Sequence, residues 1–152
     1  MQIVVFGNVT LDVICFPVED VPRTYSISFD NSVVSPGGCA SNVAIGLSAL
    51  GMSTALVAYT GNDISAEILE RYWKRWGIDC QYVSRAMNQS TGVSVGLVDR
   101  QFQPRFIHTP GANRLLTAED LKVKDYVDGG ARVLHIAGYF VLPGILDEKL
   151  GK

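Results

Sequence analysis

The sequence predicts an α/β domain, in which a largely parallel central sheet carries a second, smaller sheet projecting from it. A continuous apolar run at residues 3–6 reads as a strand covered on both faces, and residues 54–59 and 132–136 read as further buried strands. Helical patterns at residues 40–50 and 64–76 lie between them. Alternation of apolar and polar residues at 25–30, and a strand pair at 91–98 and 105–108, interrupt that succession and supply the second sheet.

In chain order, the first run ends in Gly7-Asn8, and residues 13–16 continue as a second short strand. A polar segment with Pro17 and Pro22 leads to residues 25–30, Tyr-Ser-Ile-Ser-Phe-Asp, a pattern for a strand with one face in solvent. Ala40, Val43, Ala44, Leu47 and Leu50 then recur at helical spacing, and Gly51 supplies a stop. After the strand at 54–59, Asn62 or Asp63 is placed to cap a helix over residues 64–76, closed by Gly77. Residues 81–83 are short and extended. The strands at 91–98 and 105–108 pair across the turn between them. Thr117-Ala118-Glu119-Asp120 has the pattern of a capped helix start. Residues 132–136 form one more buried strand, and the stretch up to Leu150-Gly151-Lys152 reads as the opening of another helix.

At 152 residues, with 47% hydrophobic and 18% charged side chains, this is the composition of one globular domain able to bury a core. A formal charge of −2 without a basic stripe points away from nucleic acid. No apolar stretch approaches the roughly 20 residues of a bilayer span, and the opening residues lack the pattern of a signal peptide, so no membrane partner is expected. Cys15, Cys39 and Cys80 are odd in number and widely spaced, which fits reduced thiols and a cytoplasmic location. No two glycines are spaced Gly-x-Gly, and neither a phosphate-cradling Gly-Lys-Ser/Thr loop nor a Gly-x-Ser-x-Gly elbow occurs. His108 and His135 stand alone, so no metal site is expected.

The adjacent pair Gly37-Gly38 opens the first helix. An isolated pair of this kind would merely make a tight turn. Here it joins a flap-like strand to a helix start, where free N–H groups and the positive end of the dipole favour oxygen-rich ligands. Without a Cβ the backbone can approach a small ligand and can act as a hinge. Asn42, one turn further, would place an amide beside that ligand. Asp12 follows the first buried strand, where ligands of open α/β sheets gather, and its carboxylate can accept two hydrogen bonds from neighbouring hydroxyls. Viewed alone, Asp12 could equally be a turn or cap residue. Together, Asp12, Gly38 and Asn42 describe a pocket for a polyol.

Gly7-Asn8-Val9-Thr10-Leu11-Asp12, Pro36-Gly37-Gly38-Cys39-Ala40-Ser41-Asn42-Val43-Ala44, Leu50-Gly51 and Thr60-Gly61-Asn62-Asp63 resemble the ribokinase-like carbohydrate kinases, the PfkB family. Thr91-Gly92-Val93, Pro110-Gly111-Ala112-Asn113 and His135-Ile136-Ala137-Gly138-Tyr139-Phe140 follow in that family's order and spacing. The resemblance runs along nearly the whole chain and is most specific between Gly37 and Gly51. It implies a Rossmann-like three-layer α/β/α core under a small β-sheet lid, the lid strands coming from about residues 13–35 and 91–110. It also implies ATP-dependent phosphorylation, with Mg2+, of a hydroxymethyl group on a sugar or nucleoside. The substrate contacts it assigns are Asp12, Thr10, Gly38, Asn42, Ser94 and Phe106. Gly37 and Gly38 become the lid hinge, and His108 falls at a lid position where ordinary sheet surface is the alternative. Thr10 and Cys39 stand where ribokinases proper carry Asn and Lys, which separates this chain from them.

The family's later half supplies a Gly-Ala-Gly-Asp motif with the aspartate base and the nucleotide site; no Gly-x-Gly-Asp occurs here. The expectation is therefore an incomplete ribokinase-like domain over residues 1–152, without catalytic residues and inactive alone. The rival expectation is a non-catalytic sugar- or nucleoside-binding or interaction module. An exposed sheet edge, or the lid, would favour a homodimer.

Overall fold

A computed structural model describes residues 1–146. In chain order the strands are β1 (Ile3–Gly7), β2 (Thr10–Phe16), β3 (Asn31–Gly37), β4 (Thr54–Gly61), β5 (Asp79–Ala86), β6 (Val93–Val98), β7 (Pro104–Thr109) and β8 (Val133–Ala137). The helices are α1 (Cys39–Ala49), α2 (Ile64–Arg75) and α3 (Val123–Asp128), with short 3-10 turns at Gly111–Leu115, Ala118–Asp120 and Tyr139–Val141. The helix opening read near Leu150 lies outside the described residues.

β1 shows why the central sheet is where it is. All five of its residues are buried, and its period of two divides them between two cores. Ile3 and Val5 pack with Leu56, Leu69 and Trp73 under α1 and α2. Val4 and Phe6 pack with Val57, Leu116, Tyr126 and Leu142 on the opposite face, beneath α3 and the 3-10 turns. The result is three layers around a parallel sheet of order β5-β4-β1-β8. α1 and α2 are tied to each other through their buried faces: the Trp73 indole N–H donates to Ser41 Oγ at 2.9 Å. α2 begins where Asp63 caps it, accepting the Ala66 N–H at 2.9 Å, and Lys74 and Arg75 sit at its negative end.

The second sheet has order β3-β2-β6-β7, and with four strands it is as large as the first rather than smaller. β2 runs antiparallel to β3 and parallel to β6, and β6 runs antiparallel to β7. The strand expected at residues 25–30 is a loop; the strand is residues 31–37. The register explains the shift. β2 ends at Phe16, opposite Asn31, so the segment before Asn31 has no strand beside it to complete a ladder. Tyr25 stays 72% exposed there. β5 is longer than the three residues expected, because β4 offers a parallel partner along its length.

Two further expectations change. The sequence predicts a buried strand for β8, but among the described residues it pairs with β1 alone, at the edge of the sheet, and Val133 and Leu134 are exposed. An apolar run cannot distinguish a central strand from an edge strand. Leu50 was read into the buried stripe of α1, but it lies past the last helical residue and is exposed, with Gly51 at φ +82° turning the chain away.

Asp63 also joins the two sheets. Its carboxylate accepts from the Thr91 hydroxyl at 2.6 Å and the Thr91 N–H at 2.8 Å, immediately before β6, and Thr91 Oγ1 in turn accepts the Gly61 N–H at 2.9 Å. Burial alone would raise the Asp63 pKa; the bonds from Thr91 and Ala66 and the charge of Arg85 outweigh it and hold the carboxyl below its ordinary range. A lowered folded-state pKa means that this carboxylate stabilises the fold above the unfolded value of roughly 4, and that the contribution is lost as pH falls through the folded value. Asp63→Asn should cost about 1–2 kcal/mol at pH 7, and the gap to wild type should close as urea titrations move below about pH 4; a gap independent of pH contradicts the assignment. In the core, Leu69→Ala should cost about 2–5 kcal/mol, while Leu50→Ala should stay within about 0.5 kcal/mol.

Candidate functional site

The two sheets meet at the carboxyl end of β1, and a cavity of about 260 Å³ opens there. β2 leaves the junction two residues beyond β1, so Thr10 and Asp12 are carried onto the second sheet within one short stretch. Ladder register then aligns a row across that sheet: Ser35 on β3, Asp12 on β2, Ser94 on β6 and His108 on β7. Because the strand period is two, side chains in one such row share a face. Asp12, Ser94 and His108 line the cavity, joined by Thr10, Asn8, Gly38 and Cys39 from the junction.

Thr10 fixes the carboxylate: its hydroxyl donates to Asp12 Oδ1 at 2.6 Å. No described residue donates to Asp12 Oδ2, which remains an acceptor at the cavity. Ser94 and His108 bring a hydroxyl and an imidazole to the same space. The site therefore sets one anchored carboxylate acceptor against a hydroxyl and an imidazole that can donate, which suits a ligand with several hydroxyls.

The glycines answer a steric demand from this row. Gly37 stands opposite Thr10, and a Cβ on it would collide with the Asp12 carboxylate. Gly38, at φ +81°, passes so close to the β1–β2 junction that a Cβ would lie 2.6 Å from both Asn8 O and Val9 Cα. Both residues permit close approach of backbone. The N–H groups expected to be free at the start of α1 are partly taken: Cys39 N–H donates to Asn8 Oδ1 at 3.3 Å and Ala40 N–H to Asn8 O at 3.0 Å. Asn8 thus does locally what a ligand was expected to do.

Of the residues singled out from sequence, the structure brings Thr10, Asp12, Gly38 and Ser94 to one cavity, with His108. Asn42 is exposed on α1 and Phe106 is exposed on β7 against Gly96; neither lines the cavity. Asn8 and Asn113 line it although sequence reasoning gave them no role. Asn113 lay in a stretch already noted, Pro110-Gly111-Ala112-Asn113, but nothing local announces a contact reaching back to Val9. The described residues lining a larger open groove of about 580 Å³ all belong to α2, from Ile64 to Arg75. Among the described residues, no three His, Cys, Asp or Glu side chains are grouped as metal ligands would be, and no helix is long and apolar enough to cross a membrane.

Gly38→Ala should therefore destabilise the fold by roughly 1–3 kcal/mol, since it combines a strained φ with a backbone collision. Gly46→Ala, on α1 with open space around its Cβ position, should raise stability by about 0.5–1 kcal/mol. Chemical denaturation checks both, and equal effects would contradict the account of the junction.

A family model described as "pfkB family carbohydrate kinase" matches residues 1–152. A deoxyribokinase of Salmonella typhi is 26% identical over 121 residues, 80% of this chain and 40% of that protein. A ribokinase of Dictyostelium discoideum is 31% identical over 105 residues, 68% of this chain and 33% of that protein. This chain thus spans well under half the length of these relatives. Among solved structures, Arabidopsis thaliana ribokinase complexed with ribose and ATP superposes with a TM-score of 0.75 at 22% identity, covering 89% of this chain and 44% of that one. The Methanocaldococcus jannaschii nucleoside kinase superposes at 0.68 and 24% identity, covering 90% and 44%. With the ribokinase-like fold in place and the family model matching residues 1–152 of it, this chain belongs to the pfkB family of carbohydrate kinases.

Proposed function

We propose that this chain carries the hydroxyl-binding part of a kinase that phosphorylates a hydroxymethyl group on a sugar or nucleoside. The observation that carries the reading is the Asp12 carboxylate, with Oδ1 held by Thr10 and Oδ2 left at a cavity shared with Ser94 and His108. In this reading Asp12 accepts hydrogen bonds from two neighbouring hydroxyls, Gly38 allows the ligand close to the backbone, and Ser94 meets a third hydroxyl. The second sheet acts as the lid, with Gly37 and Gly38 at its hinge, and covers the bound sugar from water. A lid matters for phosphoryl transfer because water competes with the acceptor hydroxyl.

ATP with Mg2+ would supply the phosphoryl group. The described residues offer these no carboxylate cluster and the sequence no phosphate-cradling loop, so no step through them is assigned to this chain. Its own residues bind and orient the acceptor. Exposed Val33 and Val34 on β3, and Phe106 and Ile107 on β7, support pairing of two copies through the second sheet as part of the same proposal.

Calorimetric titration with D-ribose, 2-deoxyribose, D-fructose and adenosine tests the reading, with ATP turnover measured alongside. Saturable binding of at least one of these should occur, and Asp12→Asn should weaken it by roughly 10- to 100-fold, because a bond to a charged acceptor is lost. Binding unaffected by Asp12→Asn would overturn the site. Turnover by this chain alone would place the catalytic base within it and contradict the assignment of substrate binding only.

A further inference from the structure

Within the described residues the chain passes between the two sheets four times, at Val9, Gly38, Gly92 and Pro110. One buried side chain touches three of these crossings. Asn113, 2% exposed, donates from Nδ2 to Val9 O at 2.8 Å and to Pro110 O at 2.7 Å. Its Oδ1 accepts the Val9 N–H at 2.9 Å. Gly92 lies directly against the amide: a Cβ there would be 2.5 Å from Asn113 Nδ2 and 2.9 Å from Val9 O. The Leu11 N–H in turn donates to Gly92 O at 2.8 Å.

Val9 explains why such a device is needed. It is fully buried between β1 and β2, outside both ladders, so its N–H and C=O have no strand partner. Buried backbone groups of this kind require a partner. Asn113 meets both with one amide, from 104 residues away. Both amide hydrogens are then taken, so although Asn113 lines the cavity it has no donor left for a ligand.

We propose that Asn113 is a positioning residue for the hydroxyl site: by clamping Val9 it sets where Thr10 and Asp12 stand opposite Ser94 and His108. The inference rests on reading the cavity as a hydroxyl site. It predicts a particular chemical signature for Asn113→Asp. The substituted side chain has the same shape, but as a carboxylate it faces Val9 O and Pro110 O with no hydrogen to give. Protonation restores one O–H donor, so the defect is relieved as pH falls. Asn113→Ala leaves the Val9 N–H and C=O unpartnered, with Pro110 O keeping only the backbone N–H of residue 113, and has no such relief. Asp12, His108 and Cys39, the titratable groups on the same cavity, are common to wild type and variants, so each variant is compared with wild type at the same pH.

The test uses the full chain, with amide hydrogen exchange and D-ribose, 2-deoxyribose, D-fructose and adenosine as probes, at pH 7 and pH 5. At pH 7, Asn113→Asp should lower protection at Val9, Leu11 and Asp12, relative to Leu56 in β4, by roughly tenfold, and should weaken binding by a similar factor. At pH 5 both effects should recover toward wild type, while those of Asn113→Ala persist. If Asn113→Ala does not fold, the Asn113→Asp series carries the test alone. Wild-type binding that survives Asn113→Asp at pH 7, or a loss that does not recover at pH 5, overturns the role of Asn113. A wild type that binds none of the four probes overturns the hydroxyl-site reading itself; unchanged protection at Val9 overturns the clamp even then.

Discussion

The near-contact of two backbone segments, Gly37-Gly38 against Asn8–Thr10, is the constraint from which the rest of this structure follows. β3 can return to the end of β1 only if the residue opposite Thr10 has no side chain and the next can take φ +81°. That return brings the start of α1 beside Asn8 and lays the Asp12 carboxylate over Gly37. Remove the close approach and three things separate together: the second sheet from the first, α1 from the end of β1, and the carboxylate from the cavity. Packing, topology and chemistry meet at one joint.

The joint is held by directional polar groups as well as by apolar burial, since Val9 and Leu11 belong to the cluster beneath α1 and α2. The two hydrophobic clusters lie on either face of the parallel sheet. Between the sheets the polar ties are amides and short side chains: Asn8 to the start of α1, Asp63 and Thr91 to the entry of β6, Asn113 to Val9 and Pro110. Hydrogen bonds are directional where apolar contacts are not, so they fix orientation at a place where binding geometry depends on it. A cavity at the carboxyl end of β1 agrees with the general preference of open α/β sheets for ligands at strand ends.

Much of this was legible from residues alone, for reasons that differ by residue. The central strands were visible because burial on both faces leaves continuous apolar runs. Helix α2 was visible because Asp63 and Gly77 mark its ends chemically. Asp12 and Gly38 could be paired because a carboxylate after a first strand and a doubled glycine before a helix are each unusual. What could not be read depended on partners far along the chain. Whether residues 25–30 or 31–37 form the strand was decided by where β2 ends. That Val133 and Leu134 of β8 are exposed was decided by sheet order. Asn8 and Asn113 carry no local signature, since asparagine in a loop reads as a turn residue; only the fold shows what each one holds. Asn42 was the reverse case, a residue whose spacing from Gly38 suggested a contact that the helix directs to the surface.

The family assignment and the site geometry bear on different questions. Membership in the pfkB family rests on a match along the whole chain; which residues of this chain meet a ligand rests on the cavity. The most direct measurement is a nuclear magnetic resonance titration of the labelled chain with a pentose, following backbone amides. The account predicts that Asp12, Gly38 and Ser94 shift together along one saturation curve while Arg71 and Arg75 on α2 stay still. Shifts confined to α2, or different saturation at Asp12 and Gly38, would contradict it.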